Sequence, residues 1–326
     1  MADSDDIYYR LTGPYTACVT GARLEAIEYV KLSIPPTVTH NGRVYTVTAI
    51  ADRAFANDYL IYAATIPNTV TTIGKGAFSR TSLTEIVIPN SVTSIGPGAF
   101  EECQYLKSVT LSNSMTCIER DMFIWCSSLE SVTIPDGITS IGEHAFSYTR
   151  LLSVSLPLHL VSIGELVFER TQISELVIPF SVELVGRRAF YNCIQLNDIT
   201  CMATYPPECG EMAFGNFQEK CVLHVPPMSV AYYQCAPEWK DFAGIVGDAG
   251  TPAGIAAQPG DHVRVCASGG SIVAEGIAAG VDVRVFTVDG AEVFHAVSAG
   301  DPVVFTPPCR GIWFVTYAGR STRVAL

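Results

Sequence analysis

The chain has 326 residues, of which 48% are hydrophobic and 16% charged, so it can bury a sizeable core and is not a disordered polymer. Its net charge is −12, and residues 1–246 hold 15 basic against 25 acidic side chains, a balance of −10. That argues against the basic stripe of a nucleic-acid binder. No apolar run reaches the roughly 18 residues of a membrane span, and the eleven cysteines include no C-x-x-C pair, which removes the simplest zinc and thioredoxin readings.

The opening MADSDDIYY is acidic and lacks a basic-then-apolar leader. It leaves the compartment open between the cytosol and export with a leader removed. From residue 44 the sequence repeats itself. TVTTIGKGAF at 69–78 returns as SVTSIGPGAF at 91–100, SMTCIERDMF at 114–123, GITSIGEHAF at 137–146, LVSIGELVF at 160–168 and SVELVGRRAF at 181–190. Phe55, Phe78, Phe100, Phe123, Phe146, Phe168, Phe190 and Phe214 follow at steps of 22 to 24 residues. Self-similarity at that period is the mark of a solenoid, whose units bury their apolar faces only by stacking.

One unit, LTEIVIPNSVTSIGPGAFEEC (83–103), shows the expected coil. Ile86 and Ile88 alternate with Val87 as in a short strand with one side buried. Pro89 ends the strand, because it has no N–H for the ladder, and Asn90-Ser91 make the turn. Val92 and Ile95 point back inside, Gly96 is expected to let the chain bend sharply, and Ala99-Phe100 close the coil. Successive strands would pair as a parallel sheet. Cys103, Cys126 and Cys193 stand three places after a Phe and the next Leu stands six after it; where Thr81, Thr149 or Thr171 takes that place, the next apolar residue stands five after. Cys and Thr thus close two variants of one corner, with a structural role for the thiols.

The unit resembles the leucine-rich repeat of the Bacteroides surface protein A (BspA-like) type. The I-P, S-V-T-S-I-G, A-F and corner Cys of Ile88–Cys103 carry the resemblance, which covers about 50–215. Asp121-Met122 and Leu111-Ser112 depart from the pattern. VYTVTAIADRAF (44–55) looks like the opening turn of such arrays, after an N-terminal cap of about 1–49. Residues 199–246, with Tyr233, Trp239 and Phe242, look like the closing cap. The resemblance implies a mainly β chain with few short helices, built as a leucine-rich-repeat solenoid of 22–23-residue coils around a parallel sheet. It also implies adhesion, since some members bind host matrix proteins.

Residues 247–261 are rich in Gly, Ala and Pro and read as a linker. From 262 to 326 short alternating runs suggest a small antiparallel β-sandwich, with hairpin turns at Asp289-Gly290 and Ala318-Gly319. This part resembles the sorting domain of the type IX (Por) secretion system in Val283–Val293, Gly311–Val315 and Arg320–Leu326, with Trp313 in place of the usual Tyr. That resemblance implies contact with export machinery and attachment at the cell surface; the alternative is a plain sandwich module.

Motifs for chemistry are missing. The histidines form no H-E-x-x-H, and there is no G-x-S-x-G, P-loop or G-x-G-x-x-G. Two columns should face outward from the strands: Glu85, Ser108, Ser131, Ser153, Glu175 and Asp198, and beside them Val87, Thr110, Thr133, Ser155, Val177 and Thr200. Glu85 and Glu175 lie four coils apart, about 19 Å at ~4.8 Å per coil, beyond the ~5–9.5 Å of paired glycosidase carboxylates. Cys201 and Cys221 are expected in adjacent turns, where they could meet, and Cys117 at an exposed slot. No aromatic or Arg anchor stands in either column.

The sequence therefore points to a non-enzymatic, exported surface protein, extracellular or on the cell surface. Glu85, Val87, Ser108, Thr110, Ser131, Thr133, Ser153, Ser155, Glu175 and Val177 are the candidate binding residues. The expected partner is a host extracellular-matrix protein or a surface glycan, with no nucleic acid, metal or cofactor. The alternative is a spacer solenoid without a ligand of its own.

Overall fold

In the coil of residues 83–103 a three-residue strand, a proline-bounded corner, a two-residue strand and a turn through the phenylalanine complete one circuit. The computed structural model describes residues 7–23, 28–215 and 217–249, then 264–268, 271–275, 280–286, 292–299, 303–306, 312–317 and 320–325. It divides into Met1–Gly250 and Thr251–Leu326.

The first unit is a solenoid with three kinds of ladder. Glu85–Val87 pairs in parallel with Ser108–Thr110, and that strand with Ser131–Thr133, residue opposite equivalent residue. Thr72–Ile73 and Ser94–Ile95 belong to a second parallel ladder, continued by Cys117–Ile118, Ser140–Ile141, Ser162–Ile163, Leu184–Val185 and Glu208–Cys209. The third ladder is made of turns. The N–H of Phe55 donates to the Ala77 carbonyl at 2.8 Å, and Phe78, Phe100, Phe123, Phe146, Phe168 and Phe190 repeat that bond to the coil after them. The phenylalanine rings stack along the axis with centroids 5.2 to 5.7 Å apart from Phe55 to Phe214, and all eight are fully buried.

The ends differ. Ile7–Leu11 pairs antiparallel with Thr16–Ala22, which lies parallel to Arg43–Ile50, and Thr37–His40 forms a hairpin with that strand. At the other end Trp239 and Phe242 lie 4.8 and 5.1 Å from Phe214 and close the stack. The buried Tyr233 hydroxyl donates to the Ala203 carbonyl and the Trp239 indole N–H to that of Pro207. The helix Val230–Cys235 packs here, beside two further rungs, Val222–His224 and Gly244–Val246.

The corners behave as their residues suggest. Thr81 and Thr149 donate to the carbonyl of their own coil's Phe at 2.9 and 2.7 Å. The thiols of Cys103, Cys126 and Cys193 donate instead to the Phe carbonyl of the preceding coil at 3.0–3.1 Å. Burial pushes the Cys103 and Cys193 thiols up to about 11 and raises the Cys126 thiol as well. In the coil without the proline, the buried Ser112 hydroxyl donates to Val92 O at 2.6 Å, and the side-chain oxygen of Asn90 accepts the Asn113 N–H.

Gly96 is not a bend. It is the column glycine of a close approach: a Cβ there would lie 2.5 Å from the Lys75 nitrogen, and Gly74, Gly142, Gly164, Gly186 and Gly210 are equally crowded, at 2.4–2.9 Å. The bends fall two residues before and after each Phe. Thirteen non-glycine residues in these two columns, from Arg53 to Met212, have φ between 53° and 66°, and Gly76 and Gly98 take the same conformation. Glu119 replaces the column glycine in one coil. There the second ladder breaks: Ser94–Ile95 ends one sheet and Cys117–Ile118 begins another. A side chain at that column holds its coil off the one before.

The strand columns are also interrupted. Ser153–Ser155 is not a strand, so Ser131–Thr133 ends one sheet and Glu175–Ile178 begins the next. Among the six positions from Val87 to Thr200, Ser155 is the one that lacks a branched Cβ, and strands favour branched residues. Cys201 and Cys221 do not meet. Asp198 pairs with Val222, so the two thiols lie at opposite ends of a strand pair, and both are free and buried. Cys117 is half-buried.

In the second unit, Arg264–Ser268, Ser271–Glu275 and Val303–Phe305 form one antiparallel sheet, and Glu292–Val297, Asp282–Phe286, Ile312–Tyr317 and Arg320–Ala325 form another. Ile272 of the first sheet and Val283, Val285 and Val315 of the second share one core. Residues 250–261 of the expected linker, Asp289-Gly290 and Ala318-Gly319 lie outside the described residues.

In denaturation experiments Phe100→Ala should cost about 3–5 kcal/mol, against little for an exposed Thr93→Ala. Gly96→Ala should lose about 1–3 kcal/mol by forcing coils apart, whereas Glu119→Gly should raise stability by about 1 kcal/mol through the regained ladder bonds; a loss on Glu119→Gly would refute the crowding account. The corner thiols have folded values above their unfolded ones, so their stabilisation is present below about pH 9 and lost as pH rises toward about 11. In the native protein at neutral pH they should resist iodoacetamide while exposed Cys235 reacts, as peptide mapping would reveal.

Candidate functional site

The strand face gathers the expected residues into two groups. Glu85, Ser108 and Ser131 project outward in register, with Val87, Thr110 and Thr133 beside them. Glu175 and Val177 stand with Asp198 and Thr200 in the other sheet, and Ser153 and Ser155 lie on the unpaired coil between. The columns run further toward the N-terminus, through Ala63 to Lys31 and through Thr65 to Ser33. Toward the C-terminus Thr200 is followed by His224, whose ring nitrogens lie 3.6 Å from Asp198 and 2.6 Å from Asp248. Arg150 pairs with Glu130 at the margin of the face, at 3.2 Å. The groups are mostly polar and spread along the axis, a surface suited to contact.

Along the edge of this face lies a groove that column reasoning missed. Tyr29, Tyr62 and Tyr105 wall it, 66%, 40% and 59% exposed, and Ser82 and Thr84 form its floor. Its volume is about 320 Å³. Two of the rings are outside for a local reason. Between Val30–Ser33 and Ile61–Thr65 the register shifts: Val30 opposes Ile61 and Lys31 opposes Ala63, so Tyr62 is the extra residue of a bulge and is turned out of the pleat. Tyr105 occupies the extra position of the longer, Cys-type corner. The floor hydroxyls are committed, Ser82 to Tyr59 O at 2.6 Å and Thr84 to Tyr62 O at 3.3 Å. The three tyrosine hydroxyls have no hydrogen-bond partner among the described residues, so they face the solvent with both their proton and their lone pairs.

A second aromatic feature lies on the turn ridge. Trp125 and Tyr148 occupy equivalent left-handed positions in adjacent coils. Their rings stack 3.8 Å apart, and the Arg170 guanidinium lies 5.4 Å from the Tyr148 centroid. The signal for these rings was in the sequence, as aromatics in slots where other copies carry polar residues. Among the described residues no group of three His, Cys, Asp or Glu side chains could hold a metal ion, and no helix is long and apolar enough to cross a membrane.

Comparison with known proteins bears on this geometry. The family described as "BspA type Leucine rich repeat region" matches residues 48–173 and 161–225 in six copies. A leucine-rich repeat protein from Bacteroides ovatus is 24% identical, with a TM-score of 0.51 over 74% of this chain and 75% of that one, a likeness of fold. A leucine rich cell surface protein from Faecalibacterium prausnitzii is 20% identical, with a TM-score of 0.43 over 75% and 93% of the two chains. The pneumococcal vaccine antigen PcpA is 17% identical, with a TM-score of 0.32 over 68% and 86%. Comparison with curated proteins finds no significant match.

Proposed function

The chain belongs to the BspA-type leucine-rich repeat family, and from that premise we propose that it is a non-enzymatic, exported bacterial surface protein whose repeat array binds a sugar-bearing macromolecule. The tyrosine groove carries the reading. Exposed aromatic rings gathered on one side of a soluble unit mark contact surfaces. A tyrosine offers an apolar face to the C–H side of a sugar ring and a hydroxyl to the sugar's own hydroxyls. Ser108, Thr110, Ser131 and Thr133, outward from the adjoining strands, extend the same polar contact along the axis, with Glu85, Val87, Glu175 and Val177 at its margins. The committed hydroxyls of Ser82 and Thr84 hold the floor rigid, which lowers the cost of binding.

The division into a solenoid at 1–246, a linker at 247–261 and a small sandwich at 262–326 belongs to this reading. So does the role of the last part as an address for export, which rests on its likeness to type IX sorting domains. A host matrix protein recognised through its own glycans is the natural target.

Binding to an array of glycans and matrix glycoproteins tests this. Tyr62→Ala and Tyr105→Ala should each weaken the wild-type hit by about tenfold or more, some 1.4 kcal/mol, without lowering the melting temperature. Thr110→Glu should weaken it less. No saturable binding across the array would leave the solenoid as a spacer. Fractionation of the producing bacterium tests export, and intact protein confined to the cytosol would end that part of the proposal.

A further inference from the structure

The turn face of the solenoid holds a second groove, distinct from the tyrosine groove and made of different residues. It measures about 460 Å³, within the usual size of a small-ligand site. Its floor exists because two successive coils carry no side chain in the left-handed column before the Phe. Gly76 and Gly98 stand there, where other coils have Arg53, Asp121, His144, Leu166, Arg188 and Met212. Ala56 and Ser79 keep the rest of the floor low.

Cations surround it. Arg53, Lys75 and Arg80 line one end and Arg120 the other, where Glu101 and Asp121 also lie. Four cations against two carboxylates is the reverse of the balance over residues 1–246, which is −10. Arg80 is paired with Glu102 at 2.7 Å, and Asp121 faces His144 at 3.4 Å. Arg53, Lys75 and Arg120 have no carboxylate partner among the described residues. The contrast within one column is direct. In the slot three before the Phe, Arg187 pairs with Glu165 of the coil before it. Lys75 occupies the same slot, but its neighbours are Pro97, without charge, and Asp52, whose carboxylate already accepts the Lys75 backbone N–H at 2.8 Å. Three cations that form no ion pair among the described residues thus stand around a concave floor, with Glu101 and Asp121 beside them, an arrangement that offers donors to an incoming anion and acceptors to its hydroxyls.

We propose that this groove binds the anionic group of an acidic sugar, with its carboxylate or sulfate at the Arg53–Lys75–Arg80 end and its hydroxyls donating to Glu101 and Asp121. The presence of both donors and acceptors fits a ligand that bears an anion and hydroxyls on one ring. The groove lacks any apolar pocket that would anchor the side chains of an acidic peptide. The proposal does not depend on the tyrosine groove, and neutral-sugar binding there would stand or fall separately.

The test is titration calorimetry of the full chain with a heparin-derived tetrasaccharide, a hyaluronan-derived hexasaccharide, a neutral chitin oligosaccharide and poly-glutamate. Either acidic oligosaccharide should bind more tightly than the neutral one and weaken with added salt; which of them binds better identifies the anion as sulfate or carboxylate. Lys75→Glu and Arg53→Glu should each weaken binding by about tenfold or more. Gly76→Asn should do the same by filling the floor, and it should fold, since the equivalent slots already hold Arg53 and Asp121 in the same conformation. Tyr62→Ala should leave this binding unchanged. The proposal is overturned if neither acidic oligosaccharide binds, if poly-glutamate binds as well as they do, or if all three groove variants bind like the wild type.

Discussion

The continuous element of this molecule is the phenylalanine column with the turn ladder around it. Both β ladders lapse, one between Ser94–Ile95 and Cys117–Ile118, the other at Ser153–Ser155. The stack of rings from Phe55 to Phe214 does not, nor does the hydrogen bond from each Phe N–H to the next coil. A single coil cannot shield its Phe from water, and the gain of about 1.5–3 kcal/mol for burying such a side chain is realised only between neighbours. The coil-to-coil spacing that the rings set is then imposed on everything else. It crowds the column glycines, brings the corner thiols within reach of the previous coil's carbonyl, and leaves no room for the side chain of Glu119 without opening a ladder.

Because the inward letters serve the stack, the outward letters are free, and what distinguishes this chain lies among them. They are not evenly spread. The tyrosine groove and the cation-lined groove both sit on the first coils, between residues 29 and 121. The later coils on the turn face carry Glu143, Glu165, Arg187 and Glu211 in the slot of Lys75 and Arg120, and there Arg187 is paired with Glu165. One solenoid thus presents two chemically different ends, although its backbone barely changes from coil to coil.

How much of this was legible in the sequence depends on whether a position is repeated or not. The period, the Phe column and the two corner types were readable because identical residues return at fixed spacing, and the aromatic closing cap through its likeness to the caps of such arrays. Other features lack such a signature. A strand of two residues, such as Ser94–Ile95, is too short to show alternation. The column glycines return faithfully, but repetition alone does not say whether a glycine serves a bend or a close approach, and only the neighbouring backbone decides. The bends themselves carry Arg, Glu, Trp, Tyr, His and Leu, so no residue type announces them. Tyr62 could not be placed because a bulge depends on the register of two strands, and Tyr105 could have been, since it fills the one extra slot of a Cys-type corner.

The bends also explain where a groove can form. Holding a residue with a side chain in the left-handed region costs on the order of 1 kcal/mol, and glycine would avoid it. Yet most coils keep a side chain at both bends. The stack supplies the constraint that makes this tolerable, since a residue between two ladders has no other conformation to adopt. The side chains so retained form the ridge on which Trp125 stacks on Tyr148 and Arg80 meets Glu102. Where two successive coils give them up, at Gly76 and Gly98, the ridge falls to its backbone and a groove opens between Arg53 and Arg120. The same repeated strain that shapes the coil therefore decides, by its two exceptions, where the turn face can receive a ligand.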